Sequence, residues 1–292
     1  MLNLSPCYLQ PVHFSAILLS LALATTLVGC KTPLVPAAKA PDWILGGMVN
    51  IPEGTFAMGS DSPDGSDNER PVHSVTVKAF QLDRTEVTVA AYAACFTAGA
   101  CSEADAFRNQ IGDHHIFCNW KHAEDRLSHP INCIDFNQAA AFCAWAGKRL
   151  PTEEEWEYAA RGGEVRTYPW GNEKPDETRL NGCGTGCPEN LVAKRFPGLQ
   201  PLYAADDGWP ETAPVGSFPA GASKDGVLDM AGNVWEWTAS LFALYDGSNV
   251  ETRRVLRGGS WGGGDARTER TTNRFRLGPQ AKAQFLGVRC AR

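Results

Sequence analysis

Apolar and polar residues alternate along 48–59 (MVNIPEGTFAMG), with Gly54 as a turn, and this period of two predicts a β-hairpin. Residues 60–70 (SDSPDGSDNER) are polar and read as a loop, and alternation resumes over 73–82 (HSVTVKAFQL), which predicts a strand. The pattern then changes to a helical one. A short helix is expected at 88–97 and a clearer one at 135–145, capped by Asp135, given apolar bulk by Phe142 and Trp145, and ended by Gly147. The segment 152–161 is the most fully specified. Thr152 and Glu155 have the spacing of a capping box, Trp156 shares an inward face with Ala159 or Ala160, and Gly162 and Gly163 close the helix. Beyond Gly163 the remaining chain predicts loops, turns and short strands. The fold class that follows is α+β, irregular and loop-rich, consistent with 29 glycines.

The N-terminus is different in kind. Residues 14–28 (FSAILLSLALATTLV) carry no charge and number fifteen, which suits the apolar core of a signal peptide and falls short of the ~20 residues of a membrane span. The run ends in Leu27-Val28-Gly29-Cys30, the form of a bacterial lipobox in which Cys30 is diacylated after cleavage. Two acyl chains anchor stably where one is marginal. No Lys or Arg precedes the run, so an ordinary cleaved secretory peptide or an uncleaved anchor is the alternative. The expected organisation is a signal peptide over 1–29, a lipidated Pro- and Ala-rich tether over 30–43, and one domain over 44–292. Lys31 after Cys30 points to the outer membrane, so an exported, lipid-anchored envelope protein is expected.

Composition narrows the partners. A net charge of −6 and the lack of a dense Lys/Arg run argue against a nucleic-acid binder. Asp113-His114-His115 reads as a polar surface loop, because adjacent loop histidines seldom aim at one ion. The four arginines of 267–276 (RTERTTNRFR) suit either a groove for an anionic ligand or a solvated strand with Glu269 as partner.

Several motifs occur together and in order: 51–59 (IPEGTFAMG), 147–163 (GKRLPTEEEWEYAARGG), 168–172 (YPWGN), 212–219 (TAPVGSFP) with 228–237 (LDMAGNVWEW), and 257–261 (RGGSW) with 287–290 (GVRC). Taken by themselves, the alternating tryptophans of GNVWEW suit core packing on a strand face. As a set, the motifs resemble the formylglycine-generating (sulfatase-modifying factor) family across essentially the whole domain. The resemblance implies a variant of the C-type lectin fold and two structural calcium ions. One would be held by Asn181, the Gly182 carbonyl, Asp207 and the Trp209 carbonyl, and the other by Asp229, the Gly232 and Val234 carbonyls, and Glu236. Hard oxygen ligands of this kind are what calcium takes, although such acids also serve as caps or ion-pair partners. The family's oxidase binds copper(I) through two cysteines shortly after the RGGS motif. The matching positions here are Gly263 and Thr268, so copper is not expected.

Ten cysteines are present. Cys7 leaves with the signal and Cys30 takes lipid, so eight remain, and an even count in an exported chain reads as disulfides. Cys95 and Cys101 flank a short turn, and Cys183 and Cys187 flank Gly-Thr-Gly. The resemblance pairs Cys143 with Cys290, which leaves Cys118 for Cys133. The resemblance also places a ligand pocket beside RGGSW, floored by Gly262 to Gly264 and edged by Ser260, Trp261, Arg267 and Arg276. Three functions are open at this point: a non-catalytic ligand-binding or scaffold module for an envelope protein or small ligand, an oxidoreductase of altered chemistry, and a formylglycine-generating oxidase acting on sulfatase cysteine.

Overall fold

The computed structural model of the chain describes residues 47–104, 117–187 and 200–292. The lipobox cysteine Cys30, the tether and Asp113-His114-His115 lie outside the described residues.

The first alternating segment does not fold back on itself. It forms β1 (Met48–Ile51) and β2 (Gly54–Met58), and the second segment divides into β3 (His73–Val77) and β4 (Phe80–Asp83). β1 pairs with β4 and β2 with β3, both antiparallel. The register is the same on both sides of the break, since Ile51 faces Phe80 and Gly54 faces Val77. The expected hairpin and single strand are thus corrected to one long two-stranded ribbon interrupted in the middle. The interruption falls at Pro52, whose ring removes the amide a ladder would need. Alternation specifies which face is apolar, but it does not specify which segment is the partner. The loop joining β2 to β3 is polar as expected, yet it carries a short helical turn, Asp67–Glu69, whose Glu69 is wholly buried.

The helices follow their local signals. α1 (Val89–Thr97) begins where Thr88 accepts a hydrogen bond from the Ala91 amide, and a short α2 (Ala123–Arg126) follows. α3 (Phe136–Trp145) starts in a capping box between Asp135 and Gln138. α4 (Glu153–Arg161) starts in one between Thr152 and Glu155, and stops where Gly162 adopts a left-handed conformation that costs glycine little. From there to residue 234 the described chain runs mostly in loops and turns, with a short helical turn at Pro219–Gly221.

A four-stranded sheet completes the domain: β5 (Trp235–Leu241), β6 (Arg254–Arg257), β7 (Phe275–Leu277) and β8 (Leu286–Gly287), in the order β7-β6-β5-β8, with only the β5–β8 pair parallel. α1, α3, β5 and β8 share one core, which encloses Trp235, Trp237 and the Cys143–Cys290 bond. Trp156, Ala159 and Ala160 of α4 pack against the ribbon in a second core. The tryptophans of β5 are core residues as expected, but the residue between them is not on a wet face: Glu236 is also fully buried. The mixed, loop-rich α+β class read from the pattern is the architecture observed. The disulfides join Cys95 to Cys101, Cys118 to Cys133, Cys143 to Cys290 and Cys183 to Cys187.

Candidate functional site

After β6 the chain turns sharply through Gly258 and Gly259, both at positive φ (105° and 77°), a region side-chain-bearing residues avoid. The turn aims Ser260 and Trp261 inward and joins two motifs that are distant in sequence. Gly232 N donates to Gly258 O and Trp261 N donates to Asn233 O, each at 2.9 Å. Gly263 O in turn accepts from Cys183 N at 3.2 Å, so the Cys183–Cys187 loop is tied to the same turn.

Over this turn lies a cavity of about 500 Å³. Four rings wall it, those of Trp235, Trp261, Phe275 and Phe285. Ser260, Gly262, Gly263, Thr268, Asn273, Arg274 and Gln284 complete the lining. Ser260, Trp261, Gly262 and Gly263, named from the sequence, are among these lining residues, and Gly264, named with them, is not. Arg267 and Arg276 are not among the lining residues, and that expectation is corrected. Arg267 is exposed and paired with Asp265 at 2.6 Å, while Arg276 turns to Glu251 at 3.1 Å and lies over the Phe242 ring. Nor is the arginine-rich segment a solvated strand. Arg270 is buried against Glu69 (2.7 Å) and Arg274 against Glu153 (2.6 Å). Their partners come from the β2–β3 loop and from α4, so only the fold reveals them.

Glu269, expected as a partner for these arginines, is turned away from them and fully buried beside the cavity floor. Its Oε1 lies 2.9 Å from Thr268 Oγ1, and its Oε2 has no hydrogen-bond partner. Burial pushes its pKa up to about 8, against the opposing hydrogen bonds from Thr268 and the Gly232 and Ser260 amides. The acid is thus mostly protonated at neutral pH. A Cβ built at Gly263 would lie 2.4 Å from Glu269 Oε1 and 3.2 Å from Thr268 Oγ1. Copper(I) requires soft thiolates, and these residues do not fit it: neither position carries sulfur, and a carboxyl group fills the space beside them.

The residues proposed for calcium are brought together as two sets. Asp207 accepts from Gly182 N (3.2 Å), Trp209 N (2.8 Å) and the Tyr203 hydroxyl (2.5 Å). Asn181 is buried with its amide nitrogen donating to Glu211 O, while its Oδ1 has no partner. In the second set, Asp229 Oδ2 accepts from Gly216 N at 2.6 Å, and both Glu236 oxygens are held by Arg289 at 2.6 and 2.7 Å. Arg289 also donates to Asp229 O at 3.0 Å. The sequence reading missed Glu86, which joins this set from the loop before α1. Burial first, and then the charge of Asp229, raise its pKa well above the usual range, and its Oε1 is unpartnered. Nothing local marks Glu86, because only the crossing of two loops brings it to Asp229. Three carboxyl groups thus surround one guanidinium. Among the described residues no three His, Cys, Asp or Glu side chains converge as a ready metal cage, so each set would depend on carbonyl and amide oxygens as well.

Residues 36–292 match the model of the Sulfatase-modifying factor enzyme 1-like domain. The chain belongs to this sulfatase-modifying factor family. It is 36% identical over 284 residues to Inactive C-alpha-formylglycine-generating enzyme 2 of Bos taurus, covering 84% of this chain and 87% of that one. It is 35% identical over 295 residues to Formylglycine-generating enzyme of Streptomyces coelicolor, covering 84% and 88%. Among solved structures, PvdO from Pseudomonas aeruginosa superposes with a TM-score of 0.63 at 28% identity, over 85% of this chain and 94% of that one. The family therefore includes both a protein named as the enzyme and one named as inactive.

Proposed function

We propose that the chain is a lipid-anchored binding module of the cell envelope, taking its ligand into the cavity over Gly262 and Gly263 and carrying out no formylglycine chemistry. One observation carries the reading. The aromatic cavity is present, while the thiolate positions hold Gly263 and Thr268, and every described cysteine is in a disulfide. A relative named as inactive at 36% identity supports it. The envelope location rests on the uncharged run ending at Cys30. The partner is an envelope protein or a small ligand, with the membrane reached through the lipid.

The test of activity is incubation of the purified protein with a cysteine-containing sulfatase peptide, copper(I) and oxygen. Mass spectrometry should find the peptide cysteine unchanged, and formylglycine formation would restore the oxidase reading. For the anchor, Cys30→Ala should release the protein from membranes or block its processing, and membrane fractionation identical to the parent's would refute lipidation.

Calcium belongs to the same proposal as a structural ion. The unpartnered Asn181 Oδ1 and Glu86 Oε1 are buried oxygens of the hard type calcium takes, and the surplus of carboxylates around Arg289 favours a cation. Asn181 and Asp207, with the Gly182 and Trp209 carbonyls, would hold one ion, and Asp229 and Glu236, with the Gly232 and Val234 carbonyls, the other. Calcium should raise the melting temperature, and Asp229→Ala should remove most of the gain. Identical melting curves with calcium and with chelator would end this part of the proposal.

A further inference from the structure

A second cavity, of about 370 Å³, shares no lining residue with the aromatic one and is built by the β2–β3 loop, the turn after α4 and residues 270–272. Arg161, the last residue of α4 and only 3% exposed, lines it. Its Nε donates to Glu164 O at 3.0 Å, and its Nη1 to Ala57 O, Gly59 O and Glu157 Oε1 at 2.8, 3.2 and 2.9 Å. Nη2 donates to no group among the described residues. It is not sealed in the interior either, as the buried and unpartnered Nε atoms of Arg257 and Arg270 are. Nη2 is thus the part of this guanidinium that meets the cavity.

Behind Arg161 the buried charges do not balance. Glu157 is shared by Arg161 and Arg257, and Glu153 by Arg257 (3.9 Å) and Arg274 (2.6 Å). All five residues are at most 5% exposed. Glu69 and Arg270 form a separate, balanced pair at 2.7 Å. Among the described residues, three permanently charged guanidinium groups therefore meet two carboxylates. A buried charge is costly to hold without a counter-charge. Arg274 also lines the aromatic cavity, but its three nitrogens are engaged by Glu153 and Asn68 O. The surplus opens to solvent at Arg161.

We infer that this second cavity binds a singly charged carboxylate on a short aliphatic chain, held by Arg161 Nη2 and the Ser60 and Ser62 hydroxyls. Both hydroxyl oxygens accept from amides, those of Ser62 and Asp64 at 3.2 and 3.3 Å, which leaves their protons to donate. Arg166 in the same lining is paired with Glu164 at 2.8 Å. Asp61 and Asp64 line the cavity as exposed carboxylates, and they disfavour a doubly charged anion more than a singly charged one. Val72 and Val165, 36% and 80% exposed, give an aliphatic chain an apolar surface. The volume lies in the range of small-molecule sites. The site stands whether or not the aromatic cavity takes a ligand.

The test is calorimetric or NMR titration of the full chain with butyrate, butanol, butylammonium and sulfate, near neutral pH in low-chloride buffer. A charge-assisted contact should make butyrate bind about tenfold or more tightly than butanol. Sulfate and butylammonium should bind more weakly than butyrate. Ser60→Ala should weaken butyrate about three- to tenfold. Asp61→Asn with Asp64→Asn should tighten butyrate about two- to fivefold per charge removed, and sulfate by more. Arg161→Gln should abolish butyrate binding. If that buried change prevents folding, the exposed Asp61 and Asp64 and the half-buried Ser60 decide the matter. Butyrate binding no tighter than butanol, a preference for sulfate or butylammonium, or butyrate binding unmoved by Ser60→Ala and by the double aspartate change would each overturn the inference. So would parent-like butyrate binding by folded Arg161→Gln.

Discussion

At the scale of single residues, Glu269 occupies the space that a side chain at position 263 would need. A methyl group at 263 would meet Glu269 Oε1 at 2.4 Å and Ser260 O at 3.1 Å. Gly263→Ala should therefore destabilise by about 1–3 kcal/mol, the usual range for overpacking. If the carboxyl is the obstacle, Glu269→Ala combined with Gly263→Ala should cost less than the two single changes added together, as measured by denaturant unfolding of the four proteins of the cycle. Strict additivity would show that the two side chains do not compete for one space. The lack of sulfur at 263 and 268 is legible from motif spacing alone. The inward turn of Glu269 is not, because the amides of Gly232 and Ser260 that receive it come from two other stretches of chain.

At the scale of elements, ion pairs bind together segments whose local sequence shows no sign of each other. Glu69 reaches Arg270 from the β2–β3 loop, and Glu157 of α4 is held by Arg257 of β6 as well as by Arg161 of its own helix. Burial pushes the Glu69 pKa up, but hydrogen bonds from Arg270, the Ser66 amide and Thr272 outweigh it, so the net shift is below the ordinary 4.5. A carboxyl lowered in the fold contributes stability that is complete above its unfolded pKa and is lost as pH falls through the folded value. Arg270→Met removes the main partner and strands a buried carboxylate. Near neutral pH it should cost about 3–5 kcal/mol. Below pH 4.5 the gap to the parent should narrow as Glu69 protonates in both, which thermal melts across pH 3–7 would read. A gap independent of pH would mean that the loss comes from packing alone.

At the scale of the whole molecule, the fold has long connections and few regular elements, so cross-links carry unusual weight. Cys143–Cys290 spans 147 residues and Cys183–Cys187 spans 4. In the chain-entropy model closing the first contributes about 5 kcal/mol and the second about 2 kcal/mol. Replacing both cysteines of the long pair by alanine should thus lower the melting temperature more than the same change in the short pair. The reverse order would place the main constraint at the Cys183 loop, which hydrogen-bonds the cavity floor through Gly263.

The sequence by itself determined α3 and α4, because the caps at Asp135 and Thr152 and the glycine stop at Gly162 are satisfied within a few residues of chain. It also determined the family and the loss of the thiolate pair, since both are written as motifs at fixed spacing. Only the tertiary structure decided the rest. A strand's partner is chosen by burial of its face against a distant segment, so the 48–58 and 73–83 stretches pair with each other and not within themselves. A buried charge is likewise settled by what encloses it. Arg270, Arg274 and Arg289 are internal because carboxylates from other elements meet them there, whereas Arg267, three places before Arg270, stays in solvent beside Asp265.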